Sequence, residues 1–232
     1  MGNTNVLVHL QRLIVFDLDG TLIDSRHDLA DAANQLVKGL GGTPLALDTV
    51  TQMVGGGAEI LVRRVLKAAG LPLGAEKELE RFLQLYDNCL LNHTCVYPGL
   101  IETLTQASCL ARLSLLTNKP RGPSERILHG LGVRGFFDQV IGGDSPWPRK
   151  PDPTALFQLM AAAGTDRSRT LLVGDSCVDL ETAKQAEIPC CLVSYGFGFQ
   201  GVDQTRLDER DFIAVDAVSL TAVIKKFICG FS

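Results

Sequence analysis

Two aspartates one residue apart, Asp17 and Asp19, stand where the apolar run Leu13-Ile14-Val15-Phe16 gives way to Gly20-Thr21. A short continuous apolar run reads as a strand covered on both faces. Ionised carboxylates are seldom buried without partners, so two of them at a strand's end need an explanation. Side chains two apart on an extended chain share a side, which lets both acids face one crevice. Ligand crevices of open α/β sheets lie just beyond the carboxyl ends of the strands. Carboxylates there are suited to nucleophilic attack, proton transfer or cation binding. The competing reading has one aspartate capping a helix and the other in solvent.

Three further sites carry chemistry at comparable places. Thr117-Asn118 follows the apolar stretch 111–116. Lys150 lies in Arg149-Lys150-Pro151-Asp152-Pro153. Asp175 lies in Gly174-Asp175-Ser176 after the apolar stretch 170–173, with Asp179 four residues on. Taken singly they read as a turn pair, a solvated lysine and a helix N-cap. Gly143-Asp144-Ser145 repeats the Gly-Asp-Ser string, but Pro146 and Pro148 follow it and no acid stands at the matching later position.

These residues need elements to hold them. Leu29, Ala32, Ala33, Leu36, Val37 and Leu40 recur at helical spacing up to Gly41-Gly42. A Pro44 turn and a short segment lead to Gly55-Gly56-Gly57, which opens a second helix with Leu61, Val62, Val65 and Leu66 on one face. A third helix carries Leu79, Phe82, Leu83, Tyr86, Cys89 and Leu90. The triple glycine lacks a preceding strand and the P-loop Lys-Ser/Thr, so it reads as a tight turn or hinge. From Tyr97-Pro98-Gly99 onward strands and helices alternate: strands at 111–117, 137–141, 170–173, 189–193 and 212–215, and a last helix at 218–228. The pattern predicts a doubly wound α/β core with a parallel sheet. Its expected extent is residues 1–22 and 96–232, with a helical cap at 23–95 inserted.

Composition narrows the function classes. The chain has 232 residues, a net charge of −4 and no basic run, which excludes a nucleic-acid binder working by non-specific attraction. No apolar segment reaches membrane-spanning length, and residues 1–10 lack a signal-peptide pattern. Seven scattered cysteines predict reduced thiols in a cytoplasm, several of them small core residues. His9, His27, His93 and His129 form no zinc-ligand spacing.

Asp17-Leu18-Asp19-Gly20-Thr21-Leu22, Thr117-Asn118, Lys150 and Gly174-Asp175-Ser176 with Asp179 occur in the order of the four motifs of the haloacid dehalogenase superfamily, and the chain resembles its phosphatase branch over nearly its full length. Val54-Gly55-Gly56-Gly57-Ala58, Leu116-Thr117-Asn118-Lys119-Pro120, Ile141-Gly142-Gly143-Asp144 and Ser194-Tyr195-Gly196-Phe197-Gly198 are similar to bacterial phosphoglycolate phosphatases. The resemblance implies a Rossmann-like core with a helical cap and a Mg²⁺-dependent phosphomonoesterase. It makes Asp17 the nucleophile that forms an aspartyl-phosphate, and Asp19 the acid–base group. Mg²⁺ is expected on the carboxylates of Asp17 and Asp175 and the backbone carbonyl of Asp19, with Asp179 supporting the ligands from behind. Thr117, Asn118 and Lys150 are expected on the phosphate. Cys177, near the expected metal, reads as an inert small side chain that could instead confer sensitivity to oxidation.

The implied substrate is 2-phosphoglycolate. Its carboxylate calls for a cation or backbone amides: Lys119, Arg63 or Arg64, or the amides of residues 55–57. Other small phosphoesters (sugar phosphate, nucleotide, pyrophosphate), a phosphohexomutase, a haloacid dehalogenase and a non-catalytic binding protein are the rivals. Asp19 weighs against the dehalogenase, since no alkoxide needs protonating there, and a non-catalytic relative would be expected to lack a motif residue. The oligomeric state, monomer or homodimer, stays open.

Overall fold

The computed structural model describes residues 12–73 and 76–230. The start of the expected core segment, residues 1–11 with His9, lies outside them. A parallel six-stranded sheet runs in the order β5-β4-β1-β6-β7-β8, where β1 is Leu13–Phe16, β4 Arg112–Leu116, β5 Gln139–Ile141, β6 Thr170–Gly174, β7 Cys190–Val193 and β8 Phe212–Ala214. β1 is central because its four side chains are wholly buried. Ile14 and Phe16 point into one core; Leu13 and Val15 point into the other. Alternate residues of a strand face opposite sides, so a continuous apolar run needs cover on both.

The helices supply that cover. α5 (Leu100–Ser108), α6 (Arg121–Gly130) and α9 (Ala217–Cys229) pack on the Phe16 face; α7 (Thr154–Ala163) and α8 (Cys177–Ala186) pack on the Leu13 face. Buried Cys190 and Cys191 sit on opposite faces of β7 as small core residues, and Cys89 is buried too. The chain passes from β1 to β4 and β5 on one side, then to β6, β7 and β8 on the other. Strand order therefore reverses at β1, where the fold leaves a crevice.

Between residues 25 and 94 the described residues form α1 (Arg26–Gly39), α2 (Leu47–Thr51), α3 (Ala58–Ala68) and α4 (Glu76–Asp87). Periodicity predicted three of these helices. α2 is too short for an amphipathic repeat to show, and it fills what the sequence reads as a linking segment. A second feature escaped as well: β2 (Ile23–Asp24) and β3 (Cys95–Val96) pair antiparallel as a small ribbon at the ends of the helical stretch. Asp28 on α1, fully buried, ties that stretch down. Its carboxylate accepts the His93 N–H at 3.0 and 3.1 Å, the Thr94 N–H at 2.8 Å and the Thr94 hydroxyl at 2.7 Å. The Leu61, Val62, Val65 and Leu66 face of α3 and the Phe82 and Tyr86 face of α4 join the same core as Phe16.

Candidate active site

Asp17 follows β1 directly, and its N–H still donates to Val173 O of β6 at 2.9 Å. Ladder pairing thus carries the aspartate to the sheet's carboxyl edge before the chain turns away. Gly20 makes that turn at φ +86°, and a Cβ there would collide with the Asp175 carboxylate. Only glycine allows so close an approach in that conformation. Thr117 ends β4 in the same way, with its N–H on Ile141 O at 3.0 Å. Asp175 ends β6. The three neighbouring strands β4, β1 and β6 therefore bring Thr117, Asp17 and Asp175 to one edge.

Lys150 reaches this edge from the loop before α7. Its Nζ donates to Asp179 Oδ1 at 2.6 Å and lies 2.9 Å from Asp17 Oδ1, which accepts no hydrogen bond. The second contact is an ion pair off the hydrogen-bonding direction. Burial alone would lower the Lys150 pKa, but Asp17 and Asp179 outweigh it and hold the pKa above the ordinary lysine value. Asp179 has both oxygens taken: Oδ2 accepts from Ser176 Oγ at 2.6 Å, Ser176 N–H at 3.1 Å and Asp175 N–H at 3.3 Å. Ser176, not Asp175, is the N-cap of α8, in a capping box with Asp179. That frees Asp175 from the capping role, and its Oδ2 accepts the Gly198 N–H at 2.7 Å.

The carboxylates of Asp17, Asp175 and Asp179 come within 4.8 Å of one another. Burial, then Lys150 in opposition and Asp179 in support, leaves Asp17 with a pKa raised to about 6. Burial first, then Asp179 and Asp17, push Asp175 well above the usual carboxylate range. Buried acids so crowded need a proton or a cation. An all-oxygen donor set with Asp179 already saturated leaves Asp17 and Asp175 for a hard divalent ion. The residues fit Mg²⁺.

Asp19 is placed apart from that group. Lys119 Nζ donates to its two oxygens at 2.7 and 2.8 Å, and the Ser25 hydroxyl adds a bond at 2.5 Å. Thr117 Oγ1 accepts the Lys119 N–H at 3.2 Å, which leaves the hydroxyl proton free to donate. Asn118 Nδ2 bridges Gly55 O and Lys150 O at 3.0 Å each, joining the triple-glycine turn to the core. The eight residues of the four motifs and Lys119, namely Asp17, Asp19, Thr117, Asn118, Lys119, Lys150, Asp175 and Asp179, thus converge on one edge of the sheet.

A cleft with a free volume of about 60 Å³ opens over them. Asp17, Asp19, Thr117, Asn118, Lys119 and Asp175 form the floor; Leu29, Val54, Leu61, Phe82 and Tyr86 form the roof, with Gly55 and Gly57 at its rim. Arg63 and Arg64 do not line it. Arg63 pairs with Glu59 at 3.1 Å and Arg64 donates to Met53 O at 2.9 Å, both exposed. Asp144, the repeat of the Gly-Asp-Ser string, accepts the Arg121 N–H at 2.8 Å at the start of α6. Cys177 is exposed at the start of α8. Asp28, Asp31 and His93 form a second carboxylate–imidazole group, but the Asp28 carboxylate is committed to the chain at 93–94.

Sequence reasoning gave no role to Ser25, the Gly198 amide or Tyr86. Gly198 falls within a stretch already singled out, Ser25 lies just past the first motif, and Tyr86 carries only the signal of an apolar helix face.

Residues 14–193 match the model of the haloacid dehalogenase-like hydrolases. A phosphoglycolate phosphatase of Pseudomonas fluorescens (strain Pf0-1) is 41% identical over 197 residues, covering 81% of this chain and 71% of that protein. One from Rhodospirillum rubrum is 38% identical over 201 residues, covering 83% of each. The solved structure of a predicted phosphoglycolate phosphatase from Haemophilus somnus 129pt superimposes with a TM-score of 0.83 at 28% identity, over 93% of this chain and 99% of that one.

Proposed function

We propose that this chain, which belongs to the haloacid dehalogenase-like hydrolases and is a phosphatase, hydrolyses 2-phosphoglycolate through an aspartyl-phosphate on Asp17 with Mg²⁺ as cofactor. The observation that carries the chemistry is the setting of Asp17: a carboxylate on the cleft floor, 2.9 Å from a buried ammonium and beside two further buried acids. The substrate assignment is supported by the names of the relatives at 41% and 38% identity. The division into a core of residues 1–22 and 96–232 and a cap of residues 23–95 belongs to the same proposal, supported by the ribbon of β2 and β3 at the two ends of the helical stretch.

Asp17 attacks phosphorus; its oxygen forms the new O–P bond as the bond to the glycolate oxygen breaks. Asp19, carrying the proton taken from water in the preceding turnover, passes it to that leaving alkoxide. In the second half, Asp19 takes a proton from water, whose oxygen attacks phosphorus and releases Asp17. The carboxylates of Asp17 and Asp175 and the backbone carbonyl of Asp19 would hold Mg²⁺, with Asp179 bracing them. When bound, the ion offsets the repulsion between the Asp17 carboxylate and the phosphate dianion. Thr117 donates its hydroxyl to a phosphate oxygen, the Asn118 backbone amide a second bond, and Lys150 supplies positive charge. The Asn118 side chain also keeps the 55–57 turn against the floor. Lys119 orients Asp19.

Phosphate release across a panel of small phosphoesters, with Mg²⁺ and with excess chelator, tests the reading. We expect the highest kcat/KM for 2-phosphoglycolate and none in chelator. A clear preference for a sugar phosphate or nucleotide would remove the substrate assignment; full activity in chelator would remove the metal.

A further inference from the structure

One hydroxyl in the roof of the cleft is left without a partner. Tyr86 on α4 is 2% exposed, its ring stacks on Phe82 with centroids 5.9 Å apart, and its hydroxyl makes no hydrogen bond. Buried hydroxyls are nearly always bonded, so an unbonded one on a residue lining a cleft is a place for a ligand acceptor. Among the described residues of 23–95, Tyr86 carries the only polar side chain lining the cleft; Leu29, Val54, Ala58, Leu61, Phe82 and Leu83 are apolar.

The same ring lies 4.8 Å from Lys119 Nζ. An ammonium group has three N–H donors, and the two Asp19 oxygens at 2.7 and 2.8 Å account for two. The Lys119 ammonium also interacts with Tyr86, and the phenol proton beside that charge is left without an acceptor. We propose that the Tyr86 hydroxyl and the Lys119 ammonium form an anion subsite for the substrate's carboxylate. Tyr86 is then the residue by which the helical stretch selects phosphorylated short carboxylic acids over phosphates of neutral alcohols. A sugar phosphate entering the cleft would press its hydroxyls on Leu61 and Phe82 without partners. Burial first, then Lys119 in opposition, pushes the Tyr86 pKa up to about 12, so the hydroxyl keeps its proton to donate.

The proposal rests on the 2-phosphoglycolate reading. The test compares kcat/KM for 2-phosphoglycolate and for phosphoethanol, its uncharged counterpart, in the Mg²⁺-loaded wild type and in Tyr86→Phe. This variant keeps the ring and its stacking on Phe82, so it folds. The expected result is a wild-type preference for 2-phosphoglycolate that shrinks roughly tenfold or more in the variant, chiefly through KM, the scale of one hydrogen bond to a charged group. Phe82→Leu, which disturbs the roof without touching a polar atom, keeps the preference. An undiminished preference in Tyr86→Phe, or an equal loss in Phe82→Leu, overturns the role of Tyr86 and leaves the substrate reading standing. A wild type that treats the two substrates alike overturns both.

Discussion

Lys119 Nζ lies 2.7 Å from Asp19 Oδ1 and 2.8 Å from Oδ2, an ion pair across 100 positions with side chains 5% and 12% exposed. Neither charge is well solvated, so each depends on the other. Lys119→Met strands the Asp19 carboxylate with only the Ser25 hydroxyl and lowers stability by about 1–3 kcal/mol. Asp19→Asn strands the ammonium under the Tyr86 ring. The double substitution is expected to lose less than the sum of the two, with a coupling of about 1–3 kcal/mol. Urea unfolding of the four proteins in chelator measures it, and strictly additive losses would show that the pair contributes nothing.

The two opening aspartates separate kinetically. Asp17→Asn removes the nucleophile, and no acid-stable phosphoenzyme or turnover is expected. Asp19→Asn keeps the nucleophile and loses proton transfer, about 10²–10⁴-fold in kcat. That loss is smaller for an aryl phosphate, whose leaving group scarcely needs the proton. Equal losses on aryl and alkyl phosphates contradict the acid–base role.

Metal binding is expected to strengthen with pH. Asp17 rises from the ordinary 3.8 to about 6 in the metal-free fold, and Asp175 rises too. An acid whose pKa is raised by folding stabilises the fold fully below about 4, and the contribution is gone once pH has passed about 6. Mg²⁺ binds the ionised form, so the Tm increase it brings grows from pH 5 to pH 7.5. Taking the difference with and without Mg²⁺ cancels the titrations elsewhere in the chain. A Tm increase independent of pH contradicts the assigned ligands.

Gly57 sits at φ +90° and ψ 169°, and a Cβ there would lie 3.0 Å from Asn118 O. Gly57→Ala combines backbone strain with a push on the turn that Asn118 holds through Gly55. A stability loss of about 1–3 kcal/mol and a raised KM are expected. Wild-type values of both Tm and KM would sink the account of that turn.

The parts of the site that follow a strand were legible in the sequence. Asp17, Thr117 and Asp175 each come straight after an apolar run, and ladder pairing carries the chain in register to one edge, so type and spacing along the chain suffice. The apolar run of β1, dictating cover on both faces, likewise announced the doubly wound core. Short elements were not legible: α2 and the two-residue strands β2 and β3 hold too few residues for a period to register.

Nothing along the chain says that Lys119 grips Asp19 or that Tyr86 roofs the lysine. Arg63 and Arg64 stood as candidates for a substrate carboxylate behind the better-placed Lys119, and α3 turns them toward Glu59 and Met53. Local sequence decided which residues are available, because strand and helix periods act over a few positions. Pairings between side chains tens to a hundred residues apart depend on how helices seat on the sheet, and that packing was settled only in the tertiary structure.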